Sequence, residues 1–174
     1  ERRYTVGGRL FGKIADTGWD YDTEAAYQFG DVGSADINAW MFAGELGYAY
    51  GDDWKTRAFL GFDYASGDDN AGDGDVETFN QLFPLGHAYL GYIDVVGRQN
   101  IVDLSIGASA KPTDKLTVRA AAHVFWRASD NDALYNAGAI RAALEQYDRA
   151  IDIFETFVKK FPENDDSRGL MLRI

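Results

Sequence analysis

From residue 1 to residue 127 the chain alternates between apolar or aromatic side chains and polar or charged ones, in runs of about ten residues. A period of two sends successive side chains to opposite faces of an extended strand, so this feature commits the segment to β-sheet with one apolar and one polar face. The clearest run is Trp19 to Gly30. Trp19, Tyr21, Thr23, Ala25, Tyr27 and Phe29 share one face, and Asp20, Asp22, Glu24 and Gln28 the other. A slip of one residue would bury the acids, which fixes the register. The same alternation runs through Arg3 to Ile14, Ile37 to Tyr50, Lys55 to Ala65, Asn100 to Lys111 and Leu116 to Arg127. Six antiparallel strands are expected, paired as chain neighbours in an open curved sheet whose first and last strands are unpaired edges.

The connections narrow the choice of fold. Ala15 to Gly18, Gly51 to Trp54 and Pro112 to Lys115 are tight turns rich in Asp, Gly and Pro, and should lie at one end of the sheet. Asp31 to Asp36 is a moderate link, and Ser66 to Gln99 a long polar one at the other end. Short turns on one side and long loops on the other is the pattern of an outer-membrane barrel. No apolar run approaches the ~18 residues of a membrane helix, but barrel strands cross without one. The aromatic side chains, 14% of the chain, group as two girdles would. Trp19, Tyr48 and Tyr50 fall at the short-turn end, and Tyr27, Phe29, Trp40, Tyr64 and Trp126 at the long-loop end.

Composition removes several classes. There is no cysteine, hence no disulfide scaffold, thiolate metal site or thiol catalysis. A net charge of -11 argues against nucleic acid, whose phosphates need clustered cations. The chain begins at Glu1 without an initiator Met, which reads as a mature piece or a fragment.

After residue 130 the period changes. Leu134, Ala137, Ile140 and Leu144, then Tyr147, Ala150, Ile151, Phe154, Phe157 and Val158, follow helical spacing up to Pro162. The spacing predicts two antiparallel helices over 132–161 that contact the sheet little, so a chain cut after Asp130 should keep its strands. The division is thus a β segment, 1–130, and a helical hairpin, 131–174.

The segment TFNQLFPLGHAYLGYIDVVGRQNIVDL, preceded by DYASGDDN and followed by SDNDALYNAG, resembles the alginate export family of outer-membrane β-barrels over about residues 4–138. Phe79, Asn80, Leu82, Phe83, Pro84, Gly86, His87, Asp94, Gln99 and Asn100 carry that loop motif. The resemblance implies a mainly β, up-and-down transmembrane barrel, of which this chain is a fragment, forming a porin-like channel of the bacterial outer membrane. It also implies a passive path for an alginate-like polyuronate, with outer-membrane lipid, the anionic polysaccharide and periplasmic export proteins as partners, and neither enzyme activity nor a cofactor. Residues from Asp132 onward resemble one tetratricopeptide repeat, through Leu134, Gly138, Tyr147, Ala150, Phe154 and Pro162. DALYNAG fits both patterns, so the two segments join there, as a natural fusion or an artificial one.

On the face opposite the apolar one, Arg9, Lys13, Lys55, Arg57, Lys111, Arg119 and Arg127 are the cations expected to line the substrate path, with Arg9, Arg57 and Arg119 the strongest candidates together. The bland alternative is that they pair across strands, for instance Lys13 with Asp20, and keep the lumen wet. Asp68, Asp69, Asp73, Asp75 and Glu77 offer hard oxygen ligands for calcium but lack EF-hand spacing, and a solvated loop is the simpler reading. His123 has no evident carboxylate partner, and His87 and His123 do not form a metal pair. The rival function from another class is a periplasmic or soluble interaction protein, with a β domain and a helical-repeat tail that binds a partner.

Overall fold

The computed structural model describes residues 1–83, 86–91 and 96–135. One sheet holds β1 (Arg2–Lys13), β2 (Trp19–Val32), β3 (Ala35–Ala49), β4 (Arg57–Ala65), β5 (Asp75–Val76), β6 (Ile101–Thr113) and β7 (Leu116–Trp126). A single helical turn, α1 (Gly86–Tyr89), lies between β5 and β6. The six long strands pair antiparallel in the order β1-β2-β3-β4-β6-β7, leaving β1 and β7 as edges. That is the expected meander. The short β5 is an addition. It pairs parallel with β3 at Asp36 and Ile37, and two residues inside an acidic run carry no period by which to find them.

Turn chemistry sets the strand ends. In the β1–β2 turn Asp16 and Gly18 take positive φ, and the Thr17 hydroxyl donates to the Ile14 carbonyl at 2.9 Å. Between β3 and β4, Gly51 and Lys55 turn the chain at positive φ, and the Asp52 carboxylate accepts the Thr56 N–H at 2.7 Å. Hydrogen bonds from the Thr56 side chain and backbone hold the Asp52 carboxyl below its usual range. This places Lys55 in the turn, whereas alternation had put it at the start of the fourth strand. The β6–β7 turn shrinks to Asp114 and Lys115, with a bulge between Ala110 and Thr113. Pro112 falls in that bulge, where its missing N–H interrupts no regular pairing. These three turns share one end of the sheet, where the Ala49 N–H reaches the Gly18 carbonyl (2.8 Å) and the Lys111 N–H the Trp54 carbonyl (2.6 Å). At the opposite end the expected moderate link is a two-residue turn. Val32 pairs with Ala35, and Gly33 supplies the positive φ that so tight a turn needs.

The apolar face is continuous across all six strands and open to its surroundings. Large side chains from every long strand, from Trp19 and Phe62 at 42% to Leu10 at 64%, are exposed there. Between the rims that face carries no charge, and two of its polar side chains are satisfied within the sheet. Thr23 donates to the Leu10 carbonyl at 3.1 Å and Tyr27 to the Asn38 side chain at 3.0 Å. Aromatic pairs gather near both ends, with Trp19–Tyr48 and Tyr48–Tyr50 rings 5.0 and 5.2 Å apart on one side and Trp40–Tyr64 and Tyr4–Phe29 at 4.3 and 5.5 Å on the other.

The core forms on the polar face. Residues 66–99 were expected as a polar loop beyond the sheet; the described ones, 66–83, 86–91 and 96–99, return over that face and bury Phe79, Leu90 and Val96 against Ala39, Met41, Ala65 and Ile101. Burying each of the larger side chains contributes about 1.5–3 kcal/mol. Gln28, fully buried on β2, anchors the loop. Its amide accepts the Asn80 N–H (2.9 Å) and donates to the Asn80 carbonyl (2.7 Å), copying a strand pair with a side chain. Asn100, also fully buried, donates to the carbonyls of Ser129 and Ala133, both at 3.0 Å, and accepts the Ser129 N–H at 2.6 Å. A Cβ at Gly67 would coincide with the Asn100 side chain, which explains glycine there.

Residues 131–135 belong to this assembly and are not helical. The Asp132 carboxylate accepts the Asp68 N–H (3.0 Å), the Thr78 hydroxyl (2.5 Å) and the Tyr135 hydroxyl (2.9 Å), and the Gly97 N–H donates to the Tyr135 carbonyl at 2.7 Å. A helix starting at 132 would forgo these bonds. The rest of the expected hairpin lies outside the described residues.

Candidate functional site

The sheet register lays the ionisable side chains in rows across the polar face. One row runs Arg9, Glu24, Ala43, Asp63, Asp103, and the next Phe11, Asp22, Glu45, Gly61, Ser105, His123. Within them Arg9 grips Asp22 with both ends of its guanidinium, Nε to Oδ1 at 2.7 Å. Arg57 reaches across β3 to Asp20, Nε to Oδ2 at 2.9 Å, and also holds Glu45 at 2.8 Å. That reach depends on Gly47, since a Cβ there would coincide with the guanidinium. Asp20 is thereby taken by Arg57 and not by Lys13, its neighbour in register.

Arg119 is held differently. Its closest acid is Glu45 at 3.6 Å, half its side chain is exposed at 53%, and its guanidinium lies 4.7 Å from the centre of the Phe59 ring. Such a cation keeps donors for an incoming carboxylate. The other expected cations scatter. Lys13 is exposed at the lower end of β1. Lys55 and Lys111 line a shallow depression at the short-turn end with Asp53 and Asp114. Arg127 stays at the loop end, tied to Asp130 at 3.0 Å and to the Asp130 and Asp132 carbonyls.

A buried polar knot lies under the returning loop. Arg98 pairs with Asp63 at 3.3 Å, and Asp103, 1% exposed, sits 2.8 Å from His123 Nδ1. His123 therefore does have a carboxylate partner. The partner is hidden in the sequence because it comes from the neighbouring strand, two positions off the direct register pair Ser105. Arg98 was missed altogether, since a loop has no period to show which side chains turn inward. Arg9, Glu45, Asp63, Arg98, Arg119 and His123, with Tyr89 of α1, line a cleft of about 230 Å³ floored by Gly44 and Gly61. A second, of about 280 Å³, lies toward the loop end and is lined by Met41, Phe79, Leu82, Phe83, Tyr89 and Arg98.

Of the loop-motif residues, Phe79 enters the core, Asn80 pairs with Gln28, and Leu82 and Phe83 stay exposed. Gln99 is buried, and its Oε1 has no hydrogen-bond partner among the described residues. Gly86 and His87 lie in α1, the His87 side chain being outside the described residues, as are Pro84 and Asp94. In the acidic run, Asp68 and Asp73 accept the N–H groups two residues on, at 2.9 and 3.0 Å. Among the described residues no three His, Asp or Glu side chains converge as metal ligands would.

No curated protein and no solved structure matches this chain. A family model does. The model described as alginate export matches residues 1–152, taking in both the sheet and the loop that covers its polar face. The match continues through 131–152, where helical spacing had suggested a separate repeat. With most of its length aligned to that one model, the chain belongs to the alginate export family.

Proposed function

We propose that the chain forms a section of the wall of an outer-membrane channel that exports an anionic, uronic-acid-type polysaccharide by passive diffusion. The apolar face meets lipid and the polar face lines the lumen. One observation carries this: six strands in register turn every large apolar side chain of one face outward, while every strand charge between the rims lies on the other. The strands, at 12, 14, 15, 9, 13 and 11 residues, exceed the ~5–6 of ordinary sheets and mostly reach the ~9–11 that cross hydrocarbon. The returning loop then narrows the lumen, and Arg119 is the cation best placed to receive a sugar carboxylate. Family membership supports an export channel in preference to an enzyme.

The absence of cysteine makes the test direct. Single cysteines at Val6, Leu104 and Val118 should react with a lipid-soluble maleimide and resist a charged one when the chain is folded in outer-membrane-type lipid. Cysteines at Ala43 and Ala121 should do the reverse. Equal reaction of both sets with the charged reagent would favour the soluble interaction protein.

A further inference from the structure

Exposed aromatic side chains stand on the polar face, where the channel reading alone does not call for them. Phe83 is 91% exposed and Tyr89 49%, although a ring in water forgoes its burial free energy. Tyr89 belongs to both clefts and forms the wall between them. Its ring is backed on one side by the Arg98 guanidinium, 5.2 Å from the centroid, and Arg98 is in turn pinned by Asp63 at 3.3 Å. The ring is therefore held from behind by a largely, though not fully, buried ion pair while half of the side chain stays open.

We propose that Tyr89, with Phe83 beside it in the second cleft, is a stacking platform for sugar rings of the exported chain. The inference rests on the channel reading and gives that site its ligand chemistry. A pyranose presents a flat face of C–H bonds with partial positive charge, which the negative face of an aromatic ring attracts. Its rim presents hydroxyls, for which Glu24, common to both clefts and exposed, supplies acceptors. A uronate adds a carboxylate, and Arg119 in the first cleft has donors free for it. An acyl chain would need an apolar trough throughout; here the second cleft is largely apolar, but the first, which Tyr89 also lines, is mainly ionisable, a pairing that suits a ring with an apolar face and a polar rim. The platform also suits passage. Stacking on a ring face has little directional preference along the strand of sugars, so a polymer can slide from unit to unit without breaking a fixed hydrogen-bond set.

The test is calorimetric binding of a short uronic-acid oligosaccharide, and of a neutral one of equal length, to the full chain folded in lipid nanodiscs. Tyr89→Ala should weaken both sugars about tenfold, and Tyr89→Phe should leave both within about twofold. Arg119→Ala should weaken only the uronate. Tyr89→Leu keeps apolar bulk without the ring, so it should behave as Tyr89→Ala even if the smaller residue disturbs α1. Unchanged uronate binding in both Tyr89→Ala and Tyr89→Leu, with Arg119→Ala still impaired, would overturn the platform and leave the channel reading standing. Wild-type chain that binds neither sugar would overturn both.

Discussion

Arg57 and Arg119 differ by their neighbours, and this decides which of them, on the channel reading, is open to an anion. Arg57 is spent on Asp20 and Glu45, so removing it leaves acids unpaired, a loss of about 1–3 kcal/mol, and should be felt in stability. Among the described residues Arg119 has one acid in reach, Glu45 at 3.6 Å, and lies over the Phe59 ring. In a full-length channel containing this segment, Arg119→Ala should lower anion over cation preference in bilayer conductance with little change in urea midpoint, and Arg57→Ala should do the opposite. Equal selectivity loss from both would mean that the ion pairs open in the membrane. Gly47→Val offers a second check on Arg57, because the new side chain takes the guanidinium's place and should cost as much stability as removing the arginine. Alternation was enough to put both arginines on the polar face. It could not show that one is engaged and the other not, because that depends on a reach across β3 and on a glycine that permits it.

At the scale of elements, the strands were legible and the loop was not. Period two marks a residue's face wherever pairing is regular, so Trp19 to Phe29 could be read directly. The bulge at Lys111 and Pro112, the two-residue turn at Gly33 and the pairing of β5 are departures from regularity and left no period. The loop is held by particular polar side chains, Gln28, Asn100 and Asp132, whose partners lie far along the chain. Asp132 ties the loop to residues beyond β7. Burial pushes its carboxyl up, but the Thr78 hydroxyl, the Asp68 N–H, Tyr135 and the Ala133 N–H outweigh that and hold it below its usual value. Burial, then the bond to Asp132 and its charge, push the Tyr135 phenol up to about 12. A carboxyl depressed by folding stabilises above its unfolded pKa, ~3.9, and loses that contribution as pH falls through the folded value. The difference in urea midpoint between wild type and Asp132→Asn should therefore be full near neutrality and shrink below pH ~4; a constant difference would mean the carboxylate charge is not what matters. A chain ending at Asp130 should likewise lose hydrogen-exchange protection at Phe79 and Asn80 relative to one ending at Tyr135, contrary to the clean boundary suggested by helical spacing.

For the whole molecule, the governing fact is that the buried core and the apolar face lie on opposite sides of one sheet. The loop-covered side has its own packing, so the apolar side is left to be covered from outside, by lipid on the channel reading. Both edge strands also offer unpaired backbone groups, which favours edge-to-edge association wherever neighbouring strands are not supplied. Depth is the property that separates a lipid-facing surface from a merely sticky one. Along β2 the girdle residues Trp19 and Phe29 are ten positions apart in sequence, about 34 Å of extended strand before tilt. Tilt brings this near the ~25 Å apolar band of barrels. Thr23 is midway on β2, but tilt carries its register row toward the loop end, so on β6 the level midway between Val102, paired with Tyr64 and Trp126, and the turn end at Ala110 is Ile106. A lysine at Ile106 would thus sit near the middle of the hydrocarbon and cost about 2–4 kcal/mol, while one at Tyr4, close to the rim, should cost about 0–1 kcal/mol. Ala121→Lys, on the polar face, should cost nothing comparable. Urea unfolding of the three variants from lipid vesicles measures the ordering directly. Equal penalties at Ile106 and Tyr4 would remove the membrane from the explanation and leave an apolar surface awaiting a protein partner.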